Sequence, residues 1–252
     1  MYRHYPGPKF GRQGIRELCG IEKGPILMSA LKPLGRSAKD FGETAYKLAL
    51  GGCPLIKDDH SLFNQSYAPF KDRVKACVDS VNNANTKTGG RSLYIANCTA
   101  DSMEFLERAM TAQELGAGGI MAAPGLLGLS IIRELSSAPD FHLPIFLHPC
   151  FSGPLVLSAD SGVSPFCYYG QFSRLAGADA AIFTSFGGRF PFTEEVCRKI
   201  CDGTETEMGG LRSIFPVPSG GMKWQLFKKM VQVYGPDAIF LVGGALLDRK
   251  SV

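Results

Sequence analysis

Eight short apolar runs punctuate this chain, and amphipathic stretches separate most of them. They are PILMSAL (25–31), PLIKD (54–58), SLYIANC (92–98), GGIMAAP (118–124), PIFLHP (144–149), AAIFTSF (180–186), SIFPVPS (213–219) and AIFLVGG (238–244). Alternating strand and helix signals are the pattern of a parallel sheet with crossover helices. The segment 37–52 shows the helical half of the unit. Ser37 stands as N-cap, Phe41, Ala45, Leu48 and Ala49 make the apolar stripe, and Gly51 and Gly52 stop it. Segments 68–90 and 101–117 follow the same plan. Eight strands with intervening helices in 252 residues is the arithmetic of a (β/α)8 TIM barrel, a single α/β domain. An open doubly wound sheet ranks lower, because no GxGxxG opens the first helix. Residues 1–24 read as a lead-in segment, loop-like over 6–24, and 25–252 as the barrel domain. Only ALLDRKSV follows the eighth strand, so the barrel is expected to be truncated there, with the outer faces of its first and last strands left bare.

Composition narrows the partners. The net charge is +4 with both signs interspersed, which leaves no electrostatic footprint for nucleic acid. No apolar run reaches the length of a membrane span, and the start MYRHYPGPKF lacks the apolar middle of a signal peptide. The eight cysteines are scattered without CxxC pairs, which reads as reduced thiols in a cytoplasmic setting. Cys197 and Cys201 have no His or Cys cluster around them and are not read as metal ligands.

In such a barrel the C-terminal strand ends carry the reactive groups. They collect there in this sequence. Lys32 ends the first strand, and Lys57, Asp58, Asp59 and His60 end the second. Asn97 and Thr99 end the third, and His148 ends the fifth. Ser185 and Arg189 follow the sixth, and PSGG and VGG close the seventh and eighth. Because side chains alternate along a strand, Asp58 is expected to face away from Lys57 and Asp59. The two Gly pairs sit where barrels often bind an anion through backbone N–H groups. Each feature also has a bland reading. Lys32 could be solvated, His148 a hydrogen-bonded core histidine, and the Gly pairs turns.

ALKPLGRSAKDFG, GGCPLIKDDHSLFNQSYAPFKDRV, PVPSGG and FLVGGALL resemble the C-terminal barrel of the ribulose-bisphosphate carboxylase large chain. They are closer still to the non-carboxylating RuBisCO-like proteins (type IV), over about residues 7–247. The resemblance implies that Lys57 reacts with CO2 to form a carbamate. It implies that Lys57, as that carbamate, and Asp59 hold Mg2+. Lys32 matches a lysine that handles protons at the enolised carbon, and His148 a histidine lining the substrate. Arg189 falls where the family has a basic residue on a mobile loop. Ser219, Gly220, Gly221, Gly243 and Gly244 match substrate and phosphate contacts. The resemblance also implies a homodimer in which a separate N-terminal domain, absent here, closes the partner's site.

Several positions depart from the family pattern. His60 stands where the third metal ligand is a glutamate, so Mn2+ or another divalent ion becomes an alternative. Leu34, Pro149 and Ile182 or Phe183 replace further polar groups of the carboxylases. The implied function is therefore metal-assisted enolisation of a phosphorylated ketose-type substrate, with decarboxylation or C–C cleavage of a sugar-acid phosphate preferred. The alternatives are an enolase or isomerase of a methylthio-pentose phosphate, true carboxylation, and a non-catalytic fragment. An unrelated metal-dependent aldolase on the same barrel leaves ALKPLGRSAKDFG unexplained.

Overall fold

The computed structural model describes residues 4–158, 160–188, 190–222 and 224–244. Eight parallel strands run in the order β7-β6-β5-β4-β3-β2-β1-β8. They are β1 (Ile26–Ala30), β2 (Leu55–Lys57), β3 (Leu93–Asn97), β4 (Gly119–Ala122), β5 (Ile145–Leu147), β6 (Ala180–Thr184), β7 (Phe215–Ser219) and β8 (Ile239–Leu241). The helices are α1 (Gly11–Cys19), α2 (Ala38–Leu50), α3 (Phe70–Thr88), α4 (Ser102–Glu114), α5 (Pro124–Leu127) and α6 (Leu129–Ser137). After β5 come α7 (Gly153–Val156), a π-helix (Phe166–Phe172) and α8 (Ser173–Leu175), then α9 (Glu194–Glu205) and α10 (Phe227–Tyr234). This is the TIM barrel that the alternating pattern predicts. No helix among the described residues is long and apolar enough to cross a membrane.

The capping signals in the sequence act as expected. The Ser37 hydroxyl accepts the Asp40 N–H while the Asp40 carboxylate accepts the Ser37 N–H, a reciprocal box that opens α2. Inward side chains such as Met28, Leu55, Ile95, Met121, Phe146 and Val217 fill the barrel as one apolar column. The outer sides of the strands pack against the helices in two larger clusters.

The barrel has a seam between β7 and β8, which touch without a ladder. The cause lies in the sequence FPVPS. The Phe215 N–H donates to Asp179 O, so residues 215, 217 and 219 face β6. Pro216 and Pro218 therefore face β8, and proline has no N–H to give. The outer faces of the end strands are less bare than expected. Phe240 is buried with Phe227 packed edge-on at 5.3 Å, Ser29 is buried, and Leu27 is half-buried.

The loop-like reading of 6–24 is corrected by α1, which plugs the bottom of the barrel. Gly11 and Gly14 make this a poor helix by intrinsic propensity, and Phe10 offers it no side-chain cap. The cap comes from far away in sequence. Asp179 Oδ1 accepts the N–H groups of Phe10 (2.8 Å) and Gly11 (2.7 Å), and Oδ2 accepts that of Ile145 (2.9 Å). Ile15 and Cys19 then join the barrel's inner cluster. Arg16 lies over the Phe215 ring at 5.1 Å and pairs with Asp237 at 2.6 Å. Asp179→Ala would leave three N–H donors without their acceptor. It is expected to lower the unfolding free energy by about 2–4 kcal/mol in urea denaturation; a loss under about 0.5 kcal/mol would show that α1 docks without this cap.

Candidate active site

Strand β2 is apolar and buried until its last residue, Lys57, and its exit sets the site. Lys57 and Asp59 project into the barrel mouth, and Asp58 turns the other way. The Asp58 carboxylate accepts the Tyr94 O–H (2.7 Å), the Asn97 N–H (3.0 Å) and Arg73 Nε (3.2 Å) in a wholly buried network. Arg73 also donates to the carbonyls of Phe63 and Ala68 at 3.0 Å, and Asn97 Nδ2 to those of His60 and Leu62 at 3.0 Å. The loop that carries Asp59 and His60 is thereby tied to α3 and β3.

In the mouth, Lys32 Nζ lies 3.0 Å from Asp59 Oδ2, and His60 Nδ1 lies 3.4 Å from Asp59 Oδ1. The Ser61 N–H donates to the same Oδ1 at 3.0 Å. Burial works against the Asp59 carboxylate. That backbone bond and the Lys32 ammonium, with His60 close by, outweigh it, so the pKa falls below the usual range. The His60 ring stacks on His148 at 4.6 Å with 9° between the planes. Burial, with Lys57, His60 and Lys32 nearby, pushes His148 well below the usual histidine range. Its Nδ1 accepts the Cys150 N–H at 3.1 Å.

Lys57 is 2% exposed and donates to its neighbour's carbonyl, Asp58 O, at 2.8 Å. Its pKa drops to about 8, chiefly through burial and further through Lys32, against the opposing pull of Asp59 and Asp58. About a tenth of the amine is then neutral at pH 7.

One cavity of ≈ 700 Å³ is lined by Lys32, Lys57, Asp59, His60 and His148, by Ser219, Gly220 and Gly221, and by Gly243 and Gly244. Every described residue to which the resemblance assigns a role meets there, whereas Asn97, Thr99 and Ser185 of the other strand ends do not line the cavity. Arg189 lies outside the described residues. Gly220 and Gly221 adopt φ of 81° and 89°, conformations that favour glycine. Among the described residues, nothing lies within 4 Å of where a Cβ would stand at Gly243 or Gly244, which leaves that backbone approachable. A second depression of ≈ 840 Å³ lies around Arg16, Cys19 and Arg91, and none of the reactive strand-end groups line it.

The sequence reading missed the apolar part of the cavity's lining. Tyr169, Phe192, Phe190, Leu157, Val156 and Met222 form it. Tyr169 comes from the π-helix, whose i→i+5 period a search at 3.6 does not find. Its adjacent aromatics in FCYYGQF were the only hint.

Whether this donor set fits a metal turns on Lys57. Among the described residues, no group of three His, Cys, Asp or Glu side chains could hold an ion. Asp59 and His60 supply two donors, and a third must come from Lys57. As an ammonium Lys57 repels a cation; as a carbamate it offers oxygens. The residues therefore fit a divalent ion when Lys57 is carbamylated.

The family model described as "Ribulose bisphosphate carboxylase large chain, catalytic domain" matches residues 11–248. The chain belongs to this family. It is 35% identical over 252 residues to the 5-methylthioribulose-1-phosphate isomerase of Rhodospirillum rubrum, covering 98% of this chain and 64% of that protein. It is 37% identical over 245 residues to the 2,3-diketo-5-methylthiopentyl-1-phosphate enolase of Geobacillus thermodenitrificans, covering 97% and 59%. The solved Rubisco-like protein of Rhodopseudomonas palustris superposes with a TM-score of 0.90 at 32% identity, over 96% of this chain and 66% of that one. This RuBisCO-like chain therefore spans under two thirds of the length of these relatives.

Two measurements check the electrostatics of this RuBisCO-like mouth. A lysine whose folded pKa is lowered destabilises the fold below about pH 8. Between there and its unfolded value near 10.5 the unfolded chain binds more protons, so stability recovers as pH rises. Lys57→Met is thus expected to raise the unfolding free energy at pH 7 by about 2–3 kcal/mol, with the gain fading by about pH 10.5. An equal gain at both pH values would mean the cost is not one of charge. Asp58→Asn leaves the Arg73 guanidinium buried without its counter-charge. It should cost about 3–5 kcal/mol by the same assay, and a neutral outcome would remove the network from the account.

Proposed function

We propose that this barrel enolises a methylthio-pentose phosphate, as an enolase or isomerase. The observation that carries the reading is the mixed lining of the cavity. It brings Lys32, Lys57, Asp59, His60 and His148 together with aromatic and aliphatic side chains such as Tyr169, Phe192 and Leu157. A substrate with a single phosphate, a central carbonyl and an apolar tail suits such a lining. A bisphosphate would put its second charge against Tyr169, Phe192 and Leu157. The names of the relatives favour the same choice, so the preference for decarboxylation or C–C cleavage gives way to it.

The residues act as follows in this reading. Ser219, Gly220, Gly221, Gly243 and Gly244 receive the phosphate on approachable backbone. Asp59 holds the Lys32 ammonium at the mouth, next to the carbon that loses its proton. Lys32, on giving up its own proton, takes that one. His148 donates a hydrogen bond to a substrate oxygen as negative charge grows there. The apolar wall excludes water from that charge. Lys57 (as carbamate, formed with CO2), Asp59 and His60 would hold a divalent ion, Mg2+ or, given His60, Mn2+. Such an ion would supply Lewis-acid stabilisation of the charge that grows on the substrate oxygens.

The surroundings support a cytoplasmic protein that pairs with a second copy. All eight cysteines are free and five are buried. Leu34, Tyr67, Leu126, Phe151, Leu155, Leu157 and Phe190 are exposed, and all stand on segments that follow strand ends. A partner covering that rim would dry the mouth.

The test is proton exchange. The chain is incubated in D2O, with Mg2+ and bicarbonate, with 5-methylthioribulose-1-phosphate or 2,3-diketo-5-methylthiopentyl-1-phosphate. Deuterium should enter the carbon next to the carbonyl, and Lys32→Ala should slow this by about 10²–10⁴-fold. Release of CO2 from a carboxylated pentose phosphate, without exchange on either methylthio compound, would overturn the reading.

A further inference from the structure

The turn after β5 is unusual. Phe151, a bulky residue, sits at φ 62° and is 65% exposed, so neither local preference nor burial explains its conformation. The turn is held from two sides. Below it, a Cβ on Gly125 would come within 2.5 Å of Cys150 O, so only glycine lets α5 approach this closely. From the π-helix, the Tyr169 hydroxyl lies 2.7 Å from Ser152 Oγ, and both residues are buried.

Counting protons fixes the direction of these bonds. Ser152 has one hydroxyl proton, and it goes to Pro149 O at 2.7 Å. The Tyr169 O–H must therefore donate to Ser152 Oγ. The Ser152 N–H adds a bond to the same Pro149 carbonyl at 3.1 Å. The turn so fixed aims the Cys150 N–H at His148 Nδ1, at 3.1 Å. A ring nitrogen that accepts an N–H carries no proton, so the ring's one proton is on Nε2.

We propose that Tyr169 is a positioning residue: through Ser152 it holds the 149–152 turn so that Cys150 N–H occupies His148 Nδ1, and this keeps the imidazole in its Nε2–H form. The consequence rests on the enolising reading. His148 then meets the substrate as a hydrogen-bond donor to the oxygen that gains charge, and its lone pair is spent on the turn. The π-helix gains a purpose as well. Gly170 packs against the backbone of Gly203, and Gly203 against Phe166 O, which seats the helix close to α9. Tyr168 and Phe192 pack edge-on against the Tyr169 ring. Tyr169→Phe keeps this packing and removes only the hydroxyl.

The experiment reads the tautomer directly. The chain has four histidines, so a long-range ¹H–¹⁵N spectrum of ¹⁵N-histidine-labelled protein at neutral pH is simple, and His148→Gln assigns the signal. The full chain should show His148 with Nε2 protonated. Tyr169→Phe should shift it to a mixture of tautomers and leave His142 unchanged. With the methylthio phosphate as substrate, kcat should fall about tenfold and KM by less than about threefold. Ser152→Ala, which breaks the link from its other end, should reproduce the mixture, and Ser152→Thr, which keeps a hydroxyl, should restore the Nε2–H form. His148 found with Nδ1 protonated in the unaltered chain overturns the proposal. So does an unchanged tautomer in both Tyr169→Phe and Ser152→Ala. Absence of turnover in the unaltered chain, with the tautomer responding as stated, overturns only the enolising reading and leaves the positioning role standing.

Discussion

The buried pair of Asp58 and Arg73 is the interaction on which the site depends. Both side chains are fully buried, and two such charges are costly to desolvate unless their remaining donors and acceptors are met. Here they are met by Tyr94, Asn97 and the carbonyls of the loop 62–68. Arg73 and Arg108 also flank the Phe70 ring at 5.6 and 5.4 Å, which extends the network from α3 to α4. The bonds that satisfy Arg73 are the same bonds that shape the loop bearing Asp59 and His60. Stability and geometry are therefore not separate here. A change that frees the loop also leaves a charge stranded.

The strand positions and the reactive strand ends were legible because both depend on local signals. PLIKDDH shows an apolar run and then its ionisable exit, and period-two alternation separates Asp58 from Lys57 and Asp59. What stayed hidden depends on contacts across the chain. The helix α1 carries two glycines and gets its cap from Asp179, 168 residues from Gly11. The aromatic wall comes from a π-helix whose period matches no common template. The seam at β7 was written in FPVPS, but its meaning needs the neighbour relation of β7 to β6 and β8. Tertiary partners overrode local propensity in the first case, and topology gave sense to local chemistry in the last.

The mouth also shows why a barrel places its chemistry against its own stability. Lys57 ends an otherwise apolar strand, and the column of Met28, Leu55 and Ile95 below it supplies no counter-charge. Burial alone would drive its pKa far down. Asp59 and Asp58 pull it back to about 8. That balance leaves an amine that is partly neutral and partly charged near neutral pH, and so sensitive to its neighbours. A more acidic mouth would hold it as an ammonium, and a drier one would cost more stability at every pH below its titration.

The histidine at position 60 bears on this balance. In the family pattern a glutamate stands there, and a second carboxylate beside Asp59 would raise the Lys57 pKa and favour a charged His148. His60 does neither. Its ring lies flat on His148, a contact that a carboxylate cannot make, and it brings no negative charge to the mouth. An imidazole in place of a carboxylate offers a nitrogen donor where the family pattern offers oxygen, and nitrogen suits a different range of divalent ions. It also leaves one carboxylate, Asp59, to orient Lys32. With a histidine at position 60, fewer negative charges face the mouth, which makes the Lys57 amine easier to deprotonate and the neighbouring His148 easier to keep neutral.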